Sequence, residues 1–156
     1  MVIKDGIYTI FDTGATDILI SDLWFQVFLD ELFAKSGVTE YEIVDGYAYA
    51  SCNKNYPSIY FLINGVWLEV PDADYVREVD NGRICTFKLR ALDAPFNILG
   101  LPIFYDYYVT HNYSDAGQED TAGSMSFGLH AHSIKIKPVK GTKPDKILPT
   151  LMVSEN

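Results

Sequence analysis

Ile7-Tyr8-Thr9-Ile10-Phe11-Asp12-Thr13-Gly14-Ala15-Thr16 is an apolar, strand-prone run that delivers one carboxylate into a turn of small residues. Tyr, Ile, Phe and Thr suit a pleated, half-buried strand. Gly14 lets the backbone turn tightly and approach a ligand closely, and Thr13 offers a short hydroxyl to a neighbouring acceptor. An Asp-Thr-Gly tripeptide is weak alone, and the surrounding chain gives it meaning.

Downstream, Ile18 and Ile20 continue the strand until Ser21 and Asp22 supply an N-cap and a negative first turn. A helix is expected next, with Leu23, Trp24, Val27, Phe28 and Leu32 on its packing face, and with Lys35 and Gly37 at its end. From Glu42 the pattern becomes strands: Tyr47, Tyr49 and Ser51 alternate with Ala48 and Ala50, leading to Cys52. Ser58 to Ile63, then Asn64-Gly65, then Val66-Trp67-Leu68 reads as a hairpin. Pro71-Asp72 turns the chain into Tyr75-Val76, and Asp80-Asn81-Gly82 turns it toward Ile84-Cys85-Thr86-Phe87, which completes an antiparallel meander.

Ala91 to Pro95 reads as a surface connection, and Phe96-Asn97-Ile98-Leu99-Gly100 as a buried strand ending in glycine. Leu101 to Phe104 suits a helical turn, Tyr107 to His111 a strand, Ser114 to Gly123 a solvated loop, and Ser124 to Leu129 a closing strand. Five lysines between Lys135 and Lys146, with Pro138, Pro144 and Pro149, then mark a flexible tail. The division is residues 1–137 as one domain and 138–156 as tail.

At 156 residues the chain is one ordinary domain. Its 11 Tyr and 9 Phe favour sheet, and its net charge of −9 argues against nucleic acid as a partner. No apolar run reaches the roughly 18 residues that span a membrane, and no membrane partner is expected. Met1-Val2-Ile3-Lys4-Asp5 lacks the apolar core of a signal peptide. Two cysteines fit one disulfide, with two buried thiols as the alternative. Asn112-Tyr113-Ser114 is a glycosylation sequon. No phosphate loop or Cys-x-x-Cys pair occurs, and His130 and His132 find no third ligand at a recognisable spacing, so neither metal nor cofactor is expected.

The ordered set Phe11-Asp12-Thr13-Gly14, Cys52, Pro57 to Gly65, Cys85, Ile98-Leu99-Gly100 and Tyr107-Tyr108-Val109 resembles the aspartic peptidases of the pepsin type, in their C-terminal lobe. The likeness spans roughly residues 7 to 130. It implies an all-β acid-protease lobe of double-psi, six-stranded barrel-like sheets with one amphipathic helix and short helical turns. It implies Asp12 as a catalytic carboxylate and Thr13, Gly14, Ile98, Leu99 and Gly100 as support for its loop. Ile10, Gly14, Ala15, Thr16 and Ile98 would face substrate. Cys52 and Cys85, which bracket the meander, would be bonded. Ala15 and Leu101 depart from the family, which often has Ser or Thr at the first position and an acidic residue at the second.

The function implied is aspartic endopeptidase activity on peptides or proteins, in a secretory, vacuolar or extracellular setting. This chain would supply one Asp; an N-terminal lobe, expected upstream of Met1 or in another chain, would supply the second Asp and the flap. The alternatives are a self-pairing homodimer of the retroviral kind and a non-catalytic lobe that binds without cleaving.

Overall fold

The computed structural model describes residues 7–63, 66–112, 124–129, 139–140 and 150–153. Strand β1 (Tyr8–Phe11) runs into the turn at Asp12, and β2 (Ile18–Ser21) leaves it for helix α1 (Asp22–Ser36). Asp22 in the first turn and Lys35 in the last complement the helix dipole. Gly37 ends the helix in the left-handed region at φ 67°, with its N–H and that of Val38 returning to Ala34 and Phe33.

The packing face of α1 matches the expected one at Trp24, Phe28 and Leu32 and departs from it at Leu23 and Val27. Phe25, Phe28, Leu29, Leu32, Phe33 and Ser36 are buried, whereas Leu23 is 70% and Val27 44% exposed. Apolar residues fill so many positions between Leu23 and Phe33 that two overlapping stripes satisfy the helical period. The contacts of α1 with its neighbouring sheet select the stripe that starts at Phe25. Ser21 holds the N-cap position but makes no side-chain cap. It is still the last residue of β2; its N–H donates to Asn97 Oδ1 at 2.9 Å, and its Oγ is buried without a partner.

The meander follows as β3 (Glu42–Val44), β4 (Tyr47–Ser51), β5 (Ile59–Ile63), β6 (Val66–Val70), a helical turn α2 (Asp72–Tyr75), β7 (Val76–Glu78) and β8 (Ile84–Phe87). Strands β3, β4, β8 and β7 form one antiparallel sheet in that order. Tyr75, expected at the head of a strand, closes α2 instead; its hydroxyl donates to Pro57 O at 2.6 Å, which commits the ring to the core. Asn81 (φ 43°) and Gly82 (φ 77°) make the β7–β8 turn, closed by Arg83 N–H to Asp80 O at 2.7 Å. Cys52 and Cys85 are joined, their Cα atoms 5.0 Å apart. Closing a 33-residue separation is worth about 3 to 4 kcal/mol in the chain-entropy account. Phe33, Tyr56, Tyr75 and Phe87 meet edge-on or tilted at the centre of the core.

Strand β9 (Leu89–Leu92) takes Ala91 and Leu92 from the expected surface connection, and Asp93-Ala94-Pro95 turns before β10 (Phe96–Leu99). Leu89 is buried and β9 pairs in parallel with β2, so partner strands rather than a long local pattern specify it. Then come α3 (Leu101–Phe104), β11 (Tyr107–Asn112) and β12 (Ser124–Leu129), which pairs antiparallel with β11.

Within 138–156, β13 (Val139–Lys140) pairs with β6 and β14 (Thr150–Val153) with β5, each starting directly after a proline. The fold is thus sheet-dominated, with one long helix and short helical turns, and no sheet closes into a barrel among the described residues. The Asn64-Gly65 turn, His130, His132, Met1 to Asp5 and the Tyr113 and Ser114 of the sequon lie outside those residues.

Replacing Leu29→Ala should cost about 2 to 5 kcal/mol in urea unfolding, and Val27→Ala no more than about 0.5 kcal/mol. Similar losses at both positions would contradict the observed packing face.

Candidate active site

Strands β1 and β2 are joined by the Asp12 turn but do not pair; β10 lies between them, parallel to β1 and antiparallel to β2. The two arms of the turn are therefore held two strand spacings apart, about 10 Å. Phe11 sits opposite Leu99 and Ile98 opposite Leu19, so the chain leaving β10 passes directly beneath the turn.

That passage explains Gly100. A Cβ there would run into the carbonyl oxygens of Ala15 and Asp17. The close approach allows Asp12 N–H to donate to Leu99 O at 3.1 Å and Leu101 N–H to donate to Ala15 O at 2.8 Å. Ala15 N–H closes the turn on Asp12 O at 3.2 Å, and Ile18 N–H fixes its far side on Lys88 O at 2.9 Å.

Main-chain groups also aim the carboxylate. Gly14 N–H donates to Asp12 Oδ1 at 2.8 Å. A Cβ on Gly14 would lie 3.1 Å from that oxygen, so this glycine also leaves the carboxylate room. Asp12 is half-buried and reaches solvent from the turn. Phe11 anchors the base between Phe104 and Phe127, at ring distances of 6.5 and 5.3 Å.

The predicted residues divide by location. Asp12, Gly14, Leu99 and Gly100 form one backbone-linked unit, and Ile10 and Ile98 are register partners on adjacent strands. Thr13 is exposed on the turn and Ala15 half-buried at its edge. Thr16 stands at a cleft of about 540 Å³ also lined by Asp17, Tyr47, Arg77, Lys88 and Leu101. Cys85 lies on β8 of a different sheet and Cys52 directly follows β4 of that sheet, and Asn112 is the last residue of β11.

Asp17 was not singled out from sequence, yet it is only 6% exposed and accepts a hydrogen bond from Tyr47 Oη at 3.1 Å. Arg90 lies 4.7 Å from the centre of the Tyr47 ring and beside Gly46, with its Nε buried and unpartnered. The available signal was an ionisable residue set against the wholly apolar Ile18-Leu19-Ile20, where burial demands a donor. Among the described residues no group of three or more His, Cys, Asp or Glu is arranged to hold a metal.

Gly100→Ala should cost at least about 3 kcal/mol or prevent folding, because backbone must move to admit the methyl group. Tyr47→Phe should cost about 1 to 3 kcal/mol by leaving Asp17 without its donor. Denaturant titration checks both, and near-native stability of either would contradict the contacts described.

A family model described as Eukaryotic aspartyl protease matches residues 1–119. No curated protein matches the chain.

Proposed function

Because the chain belongs to the eukaryotic aspartyl protease family, an aspartic-type endopeptidase family, we propose that it is the C-terminal half of a two-lobed peptidase and that Asp12 is its catalytic carboxylate. The observation that carries the reading is the Asp12 turn itself: a carboxylate open to solvent, oriented by Gly14 N–H and held from beneath by Leu99, Gly100 and Leu101. Thr13 and Gly14 shape the turn, and Ile98, Leu99 and Gly100 support it.

One carboxylate is insufficient for the chemistry. A second Asp, set close to Asp12 by an N-terminal lobe, would share a proton with it, since like charges at short range do not both ionise. The ionised member takes a proton from bound water, the protonated member polarises the scissile carbonyl, and the resulting hydroxide adds to that carbon; the tetrahedral adduct then breaks its C–N bond as the proton taken from water passes to the departing amine, with no covalent enzyme intermediate. The flap of the other lobe excludes water and holds the peptide extended. Ile10, Gly14, Ala15, Thr16 and Ile98 contact the peptide, and the cleft beginning at Thr16 receives a side chain at its edge.

The Cys52–Cys85 disulfide is consistent with an oxidising environment. A secretory, vacuolar or extracellular location, with glycosylation at Asn112, fits that setting. Closure of the sheets into the double-psi barrel-like form, and the division into a domain of residues 1–137 and a tail of 138–156, complete the reading. No helix among the described residues is long and apolar enough to cross a membrane.

The purified chain alone is expected to show no cleavage of a broad acid-peptidase substrate from about pH 3 to 7, with Asp12→Asn as the blank. Activity should appear on adding an N-terminal lobe that carries its own Asp and a flap. Cleavage by the lone chain that Asp12→Asn abolishes would favour self-pairing. Failure of the assembled lobes to cleave would favour a non-catalytic role.

A further inference from the structure

Positive charge is scarce on this chain and gathered in one place. The net charge is −9, yet all three arginines, Arg77, Arg83 and Arg90, fall with Lys88 in a single stretch of fourteen residues. The register of β4, β8 and β7 sets Tyr49, Thr86 and Arg77 side by side in one cross-strand row. All three line the cleft of about 540 Å³ that opens at Thr16. Lys88, directly after β8, lines the same cleft together with Leu101 and Tyr105.

The charges along this cleft do not cancel. Lys88 Nζ is held in place by donating to Tyr105 Oη at 3.0 Å, which leaves two ammonium protons for another acceptor. Arg77 is exposed, and no hydrogen bond or ion pair engages its guanidinium among the described residues. Asp17 is the one acid in the lining, and it is buried with its carboxylate already accepting from Tyr47 Oη at 3.1 Å. Asp74 feels the charge of Lys88 but does not line the cleft. The adjoining cleft of about 400 Å³, which shares Tyr49, sets Arg83 against Glu40 and Glu42 and so has no surplus of either sign.

The cleft joins the Asp12 turn at two points: Thr16 belongs to the arm that leaves the turn, and Leu101 N–H donates to Ala15 O at 2.8 Å. Four residues of chain span at most about 14 Å, so an extended peptide lying on the turn brings the cleft mouth within about four of its own residues. We propose that this cleft is a subsite for an acidic side chain of the peptide, whose carboxylate is received between Arg77 and Lys88, and that the enzyme therefore selects substrates with Glu or Asp near the cleaved bond. The proposal rests on the reading of the Asp12 turn as the peptide-binding face. Tyr47 gives the subsite a fixed wall, since its hydroxyl is tied to Asp17 and Arg90 lies 4.7 Å from its ring centre.

Two arms test it. In the first, the purified chain is titrated with a blocked peptide carrying a single Glu and with its Gln and Lys counterparts, while the backbone amide shifts of Thr16, Thr86 and Lys88 are followed. At about pH 6 the Glu peptide should bind roughly fivefold more tightly than the Gln peptide, the scale of one solvent-screened ion pair. At about pH 3 the two should be equal, because glutamate takes up its proton near pH 4.3 while Arg and Lys stay charged. Arg77→Glu, on the exposed edge strand β7, should reverse the order in favour of the Lys peptide, and Lys88→Gln should shrink the Glu preference. Equal binding of the three peptides at about pH 6, or a Glu preference that survives Arg77→Glu, would overturn the subsite. In the second arm, the chain assembled with an N-terminal lobe is given a substrate series with Glu or Gln at each of about four positions on either side of the cleaved bond. A higher kcat/KM for Glu at one position supports the proposal. Cleavage with no Glu preference at any position overturns it and leaves the peptidase reading standing. Glu-selective binding by the lone chain, without cleavage by the assembled lobes, supports the cleft's selectivity and counts against the peptidase reading alone.

Discussion

The threading of β10 between β1 and β2 is the constraint on which the rest of the molecule depends. It separates the two arms of the Asp12 turn, brings Gly100 beneath it, and converts the turn's carbonyl and amide groups into partners for Leu99 and Leu101. Buried backbone groups need such partners, and here they find them across a sequence distance of more than eighty residues. Helix α1 and the disulfide-stapled meander then serve to hold three short strands in this order. Each of those strands has only four residues, too few to persist without the core behind them.

Much of this was legible where local chemistry and long-range need coincide. Gly14, Gly37, Asn81-Gly82 and Gly100 are punctuation whose physical cause is the same in the sequence and in the fold. The strand at Phe96–Leu99, the turn at Leu101–Phe104 and the Cys52–Cys85 pair follow the same rule. The face of α1 was legible at Trp24, Phe28 and Leu32 but not at its edges, because Leu23 and Val27 are as apolar as Leu29 and Phe33, and only the sheet distinguishes them. Strand β9 was not legible either: Leu89-Arg90-Ala91-Leu92 has no pattern of its own, and its identity comes from β2. Asp17 shows the converse case, in which a polar residue looked like part of a loop because its donor, Tyr47, lies thirty residues away.

Charge enters the fold at two kinds of place. Asp17 is buried beside a phenol held by a stacked guanidinium, an arrangement that satisfies the carboxylate without a direct ion pair in the structure. Asp74 has one carboxyl oxygen buried without a partner, and burial together with the nearby negative charge of Asp106 and Asp72 pushes its carboxyl up. The same residue type thus finds a phenolic donor in one setting and keeps an oxygen without one in the other.

The Asp12 carboxylate is oriented by an amide of Gly14, and its turn is tethered by amides of Asp12, Ala15, Ile18 and Leu101. These groups belong to the polypeptide rather than to side chains. Apart from the glycines, whose requirement is space, the surrounding positions are therefore open to substitution by any residue that keeps the backbone path. A lineage carrying this turn can drift far in sequence while its carboxylate stays aimed, and shared ancestry would outlast easily recognised similarity at this site.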